Sequence, residues 1–543
     1  MRRWYAARII RHKKGIVSLL RKGGRSMKKV LGILLVIGLL AVVPLLVSAA
    51  EPLIMGTTDR VTELSFANSY DHFSWHVLRA TTDALMKLDD ETLELKGAIA
   101  KSWDISPDGM VYTFHIRPGI TFWDGAACDA AAVKWSLDRT IRLDGPEGGV
   151  GLIKGVIDHI DVVDPLTVKI TLTQADAIFL LRMSQELAPA LIYSPKTTPA
   201  DDFAKGVYAG TGPYKLVEYV PDQYVKYEAY DGYYGKAPKT KDVIEKMYSD
   251  AAALRAAIEA GDVDFIFRTL SPQDIKSLED DSNVNVSFYP PSPGVRYLLF
   301  NVTQPPVDNA TVRQAITYAV DRAALVEQVF SGTVDPIYTM VPMVDPPFLC
   351  AIDVFPHRDL NVARVLLQKA GYSETNKLEL NLWYTPKHYG TTEGDVATVI
   401  ASSLEETGMI DISIQMLEWG AYTERMSSGG FDMFLLGWHP DYLESSNFLA
   451  PWTTESPEGL GTFFNHDEHF DIYKELMDIA TTTADTAVRS NIYKAVQLLS
   501  TQDVPFIPLW AMTDEMVIAT LPGVHGATLN ITMDVCIWNV YKD

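Results

Sequence analysis

Cysteine is nearly missing: the 543-residue chain has Cys128, Cys350 and Cys536, an odd number with no Cys-x-x-Cys pair. A disulfide framework is excluded. One bridge remains open to an exported protein, and Cys350 with Cys536 is the pair to expect first. Catalytic signatures are missing too, with no GxSxG, no HExxH, no GxxxxGK[ST] and no GxGxxG after a strand, so the common hydrolase and nucleotide-enzyme classes lose support. Gly210-Thr211-Gly212-Pro213 has the glycines of a phosphate loop, but Pro213 removes an amide donor and no Lys-Ser/Thr follows, so it reads as a turn. There is no low-complexity linker, no repeat of 20–50 residues and one long apolar run, which leaves a single large α/β body.

Positive charge is scarce where that body lies. Residues 1–49 hold 11 Lys and Arg and no acid, leaving 36 basic against 69 acidic residues beyond, a balance of −33. Sequence-independent binding to nucleic acid or anionic lipid is excluded, because polyanions are repelled. What is present at the start is an address. Residues 30–47 (VLGILLVIGLLAVVPLLV) lack charge, follow Lys28 and Lys29, and precede Ser48, Ala49 and Ala50. This is the pattern of a secretory signal peptide cleaved near Ala49, with 1–26 a basic extension ahead of Met27. The alternative is an uncleaved membrane anchor, since 18 residues just span a bilayer. No cysteine follows the run, so a lipid anchor of the bacterial type is not available.

Hydrophobic residues make up 47% of the chain and aromatics 10%, ample for a packed core and incompatible with wholesale disorder. Residues 110–116 and 120–123 read as strands of a hairpin, and 166–172 (LTVKITL) as a half-buried strand. Helices are expected at 251–260 and 361–370, each stopped by a glycine, Gly261 and Gly371. A third fills 312–330 with Asp308 or Asn309 as cap, and two more lie near 470–480 and 485–500. His466-Asp467-Glu468-His469 has metal-ligand residue types, but acids at a helix start are ordinary capping chemistry and no metal is assigned there.

Three stretches together carry a family resemblance. In 99–139 stand Ala100, Trp103, the Ser106-Pro107-Asp108-Gly109 turn, Tyr112-Thr113-Phe114, Arg117, Gly119, Phe122 and Asp124-Gly125. In 297–332 stand Phe300-Asn301, Val312-Arg313, Tyr318-Ala319-Val320-Asp321-Arg322 and Gly332. The third has Phe431-Asp432, Gly437-Trp438, Asp441-Tyr442, Phe448-Leu449 and Phe470-Asp471. Their order and spacing resemble the extracellular solute-binding proteins of family 5, the peptide, dipeptide and nickel receptors of ABC importers. Leu64-Ser65-Phe66 departs from that family's usual Leu-Asp-Pro.

The resemblance implies a two-lobed α/β fold like that of periplasmic binding proteins (type II, cluster C), with an extra domain inserted in the first lobe. It places the first lobe at 51–84, 204–294 and 506–543, the inserted domain at 85–203 and the second lobe at 295–505. It implies a receptor, not an enzyme, that needs no cofactor, takes a short peptide between its lobes and delivers it outside the cytoplasm to an ABC permease and ATPase complex. By the same likeness Asp441, in the run Gly437-Trp438-His439-Pro440-Asp441-Tyr442, would hold the α-amino group, with Trp438 and Tyr442 beside it. Tyr70, Asp71 and His72 would lie along the peptide backbone, Trp419 would wall a side-chain pocket, and Lys387 or His388 would supply a cation for the carboxylate. Met426 and Leu435 stand where longer-peptide receptors carry cations. The rival within the family is a nickel-chelate receptor using His72 and His439; outside it stand a secreted peptidase and an anchored sensor or chaperone.

Overall fold

A computed structural model describes residues 51–89, 92–268, 270–289, 293–342, 350–453, 460–512, 517–529 and 534–543. The basic extension and apolar run at 1–49 fall outside the described residues.

Among the described residues the three largest of five sheets organise the fold. The first has seven strands in the order Asn285–Phe288, Val517–Thr520, Phe265–Phe267, Leu53–Thr57, Asp242–Met247, Tyr224–Ala229 and Tyr214–Val220. Leu53–Thr57 lies parallel to both of its neighbours. The second has six strands: Asp335–Pro336, Phe506–Ala511, Val295–Phe300, Met433–Trp438, Leu378–Tyr384 and Ile410–Met416. Val295–Phe300 and Phe506–Ala511 are buried at every residue, as suits sheet-centre strands covered on both faces. The third sheet is antiparallel, with Ala100–Ile105, Val111–Ile116, Thr167–Leu172 and Ile157–Asp164 in that order. Each large sheet has its own apolar core, one built around Phe66, Leu78 and Tyr227, the other around Tyr297, Phe434 and Phe506.

Four expectations need correction. Phe506–Ala511 belongs to the second sheet, paired antiparallel to Val295–Phe300, and not to the first lobe. The hairpin partner of Val111–Ile116 is Ala100–Ile105, through the turn at 106–109 with Gly109 at φ +70°. Residues 120–123 instead fold back on themselves, Phe122 N–H donating to Ala126 O at 2.9 Å. The helix expected over 312–330 stops at Ala319, since Asp321 begins a fresh turn by accepting from Ala324 N–H at 2.9 Å. Asn309 is the cap of the first piece. Finally, no disulfide joins Cys350 to Cys536. Cys350 packs on the second core, whereas Val535 and Ile537 set Cys536 among the first.

One helix positions the first-lobe face of the site. His72–Thr81 is capped by Asp71, whose carboxylate accepts from Ser74 N–H at 2.8 Å, and is buried from Phe73 onward. Its C-terminal end is crossed by Gly210-Thr211-Gly212, where a Cβ on Gly210 would stand 2.2 Å from Thr81 O. These glycines permit close backbone packing.

Candidate functional site

The strand Met433–Trp438 is apolar and buried up to its last residue, and the loop His439-Pro440-Asp441-Tyr442 follows, with Asp441 and Tyr442 reaching first-lobe partners. Asn447 holds this loop: its Oδ1 accepts from Asp441 N–H at 3.0 Å and from Trp438 Nε1–H at 3.2 Å, and its Nδ2 donates to Asp441 Oδ2 at 3.3 Å. From the opposite lobe, Tyr70 Oη–H donates to the same Oδ2 at 3.1 Å. Asp441 is thus half-buried with two neutral donors. Lost hydration outweighs those hydrogen bonds, and the carboxyl is pushed up to about 6. Such a group gains most from an incoming cation.

Tyr442 does not face the cleft as a wall. It is 4% exposed and packs with Leu443 into the first-lobe core, its ring 5.5 Å from the guanidinium of Arg182. Arg182 donates to Asp176 at 2.7 Å, and close by Ala177 N–H donates to Thr481 O at 2.8 Å. The Arg182–Tyr442 contact and the Ala177–Thr481 hydrogen bond bind the lobes to one another in the conformation seen. Asp71 is spent as a helix cap and as acceptor for Thr62, and burial first of all raises its carboxyl.

A second constellation gathers at the other side of His439. His72 Nδ1 lies 3.2 Å from Arg268 Nη1. Across the cleft, His388 stacks flat on Trp419, centroids 3.6 Å apart and planes 2° from parallel. Tyr389 meets Trp419 edge-on and lies 3.8 Å beneath the Arg296 guanidinium, which is buried and paired with Glu393. The lobe walls strip water from His388 although its edge is exposed, and with Arg296 and Arg268 nearby its imidazole is pushed down to about 3. His439 is driven well below its ordinary value by burial, Arg268, His72, His388 and Arg296, in that order. Both rings are neutral at pH 7. Lys387 is exposed on the loop.

The fold therefore brings Tyr70, His72, Trp419, His388, Trp438 and Asp441 to facing walls, and it leaves Asp71, Tyr442 and Lys387 in structural or solvent positions. Sequence reading missed Asn447, Arg268 and Arg296. Asn447 follows the recognisable loop by six residues; Arg268 offered only a lone cation after the apolar strand Phe265–Phe267.

Among the described residues, one group of three has metal-ligating atoms within 4.8 Å of one another: Asp467, His469 and Asp503. Its charge is met by Arg313, which donates to Asp467 Oδ2 at 3.0 Å and to Asp503 O, so it reads as an ion network closing the second core. The cleft histidines form no such group. A half-open cavity of about 340 Å³ lies elsewhere in the second lobe, between helices Ala310–Ala319, Leu360–Lys369 and Thr486–Asp503, with neutral lining.

Residues 94–459 match the model of bacterial extracellular solute-binding proteins, family 5 Middle. The chain is 30% identical over 472 residues to the Escherichia coli K12 glutathione-binding protein GsiB, covering 85% of this chain and 89% of that one. Its fold is similar to the Helicobacter pylori periplasmic binding protein DppA in complex with the peptide STSA, with TM-score 0.75, 24% identity, and 91% and 98% of the chains covered. It is similar also to NikA from Brucella suis in complex with Fe(III)-EDTA, with TM-score 0.80, 20% identity, and 91% and 100% covered.

Proposed function

The chain belongs to the bacterial extracellular solute-binding proteins of family 5, and on that footing we propose that it captures short peptides by their free amino end and delivers them to an ABC importer. The reading rests on Asp441, a partly dehydrated carboxylate with neutral donors on the face between two lobes. The glutathione and peptide ligands of its relatives support the peptide class. No covalent chemistry is needed, since ligand binding between lobes stabilises the closed form and the importer can read closure. We further propose export by a signal cleaved near Ala49, and a division into a first lobe at 51–84, 204–294 and the segment after 511, an inserted domain at 85–203, and a second lobe at 295–511. Among the described residues no helix is long and apolar enough to cross a membrane.

The test is calorimetry on four combinations, the unaltered protein and Asp441→Ala, each with a short peptide and its N-acetyl form. The substitution is expected to weaken free-amine binding about 100-fold, or ~2.7 kcal/mol, and to leave the weak N-acetyl binding nearly unchanged. A loss below about threefold, ~0.7 kcal/mol, would move the ammonium elsewhere.

A further inference from the structure

We infer that the receptor's clasp lies in the domain inserted at 85–203: Arg182 is a positioning residue that holds Tyr442, and through it the Asp441 loop, so that this contact sets how far the empty protein stands closed and how long ligand is kept. This rests on the two-lobed peptide reading above and adds to it a part that acts through the loop and not on the ligand.

One short stretch of the inserted domain, 176–182, reaches the second lobe at two points. Ala177 N–H donates to Thr481 O at 2.8 Å, and five residues on, the Arg182 guanidinium lies 5.5 Å from the centre of the Tyr442 ring. The stretch is fixed from behind. Asp176 accepts from Ile178 N–H at 2.8 Å with one carboxylate oxygen and from Arg182 Nε–H at 2.7 Å with the other, while Arg182 Nη1 donates to Leu152 O at 2.9 Å. Tyr112, on the strand Val111–Ile116, donates to Asp176 O at 3.2 Å and packs its ring on Phe179. The guanidinium is therefore aimed by its own domain, and little side-chain freedom is left to lose when Tyr442 meets it.

The two receiving points are joined on their own side. Arg489 donates to Thr483 O at 3.3 Å, two residues past Thr481, and its Nε lies 3.4 Å from Glu444 Oε1. Glu444, two residues past Tyr442, also accepts from Tyr493 Oη–H at 3.1 Å and from Ser446 N–H at 2.7 Å. Thr481 and Tyr442 are thus tied together. Tyr442 and Leu443 are 4% and 0% exposed, and both pack in the apolar core of the first lobe although the strand they follow belongs to the second sheet. Parting the lobes would carry these two side chains into water and uncover the guanidinium, and a cation on an aromatic face is worth most when both are shielded. Tyr442 is the next residue after Asp441, so the clasp also fixes where that carboxylate stands. A protein already held in its binding geometry loses less affinity to the fraction of molecules that stand open.

The test reads closure without a ligand and binding with one. Small-angle scattering of the empty protein is expected to show the unaltered chain compact and Arg182→Met expanded by about 1 Å in radius of gyration, on a body of roughly 23 Å, and a saturating short peptide should return the variant to the compact value. Calorimetry with the same free-amine peptide is expected to give about tenfold weaker binding for Arg182→Met and for Tyr442→Leu, and for the double variant a loss within about threefold of either, since both substitutions remove one contact. Stopped-flow kinetics should place the loss in faster dissociation. Arg182→Lys keeps the cation and should recover most of the compactness and the affinity. Thermal melts check folding, and should Arg182→Met fail to fold, Tyr442→Leu carries the same scattering and binding measurements. Empty Arg182→Met no more expanded than the unaltered protein, or losses that multiply to about 100-fold in the double variant, would overturn the clasp and leave the Asp441 reading intact. Absence of peptide binding by the unaltered protein would overturn the peptide reading, while the scattering of the empty proteins would still decide the clasp.

Discussion

His72 and His76 stand one turn apart on a single helix, yet the first faces a cleft and the second a core, and the surroundings treat imidazole in opposite ways. His76 is held between carboxylates, Nδ1 at 2.7 Å from Asp534 and Nε2 at 2.6 Å from Glu245. Arg79 and Tyr227 complete that network, Tyr227 donating to Glu245 at 2.6 Å. Although burial opposes the charge, the two carboxylates prevail and hold His76 protonated, its value raised to about 10. In the cleft, burial first and nearby arginines second hold His388 and His439 neutral. Charges in the core are closed among themselves, while the cleft presents Asp441 with neutral donors alone. A buried constellation that is complete stabilises; one that waits for a partner recognises.

The sharpest way to break the contrast is to remove His76. Its substitution by Leu leaves Glu245 and Asp534 buried without their shared cation, and the loss is expected at about 3–5 kcal/mol of unfolding free energy by urea titration. The pH sign follows from a folded value above the unfolded one. The contribution of His76 is complete below about 6.5 and disappears as pH rises through about 10. Stability of the unaltered protein should fall over that window more steeply than that of His76→Leu. Parallel curves would mean that the core network carries no imidazolium.

Much of this was readable without coordinates. The motif around Trp438 and Asp441 announced the family because its residues are contiguous, and the glycine-stopped helices appeared with Gly261 in the left-handed conformation. Sheet membership of Phe506–Ala511 was not readable, since its pairing is with a strand some 200 residues earlier and uniform burial carries no face-to-face alternation. Nor was the break at Val320 readable, because the apolar period runs through it while only the cap at Asp321 marks the restart. Arg268 was hidden most completely. Its meaning depends on neighbours supplied by His72, His388 and His439, which local periodicity cannot join.

Acid should separate the two regions by function. Between pH 7 and pH 5 the core imidazolium stays charged, whereas Asp441 takes up a proton as pH falls through about 6. Affinity for a free-amine peptide is therefore expected to fall about tenfold at pH 5, or ~1.4 kcal/mol, whereas the empty protein, relieved of part of the cost of burying the Asp441 carboxylate, should lose no stability over the same range. Asp441→Asn should bind weakly at both pH values. A pH-independent affinity would place the ammonium on another group.

The smallest effect expected is a gain. Burial raises the folded value of Asp441 above the unfolded one, so its sign is the reverse of a salt-bridged carboxylate: the empty protein is penalised once pH exceeds about 3.8, and fully so above about 6. Asn in its place keeps an oxygen to accept from Tyr70 and Asn447 but carries no charge to dehydrate. Asp441→Asn should therefore be more stable than the unaltered protein by about 1 kcal/mol at pH 7.5, the usual size of a gain when a functional strain is relieved. Near pH 4 both side chains are neutral and the gap should close. The measurement is a pair of urea titrations on ligand-free protein at the two pH values. A variant that is less stable at pH 7.5 would show that Asp441, like His76, is already satisfied in the empty molecule, and the distinction between a closed core and an expectant cleft would collapse at the residue on which it chiefly depends.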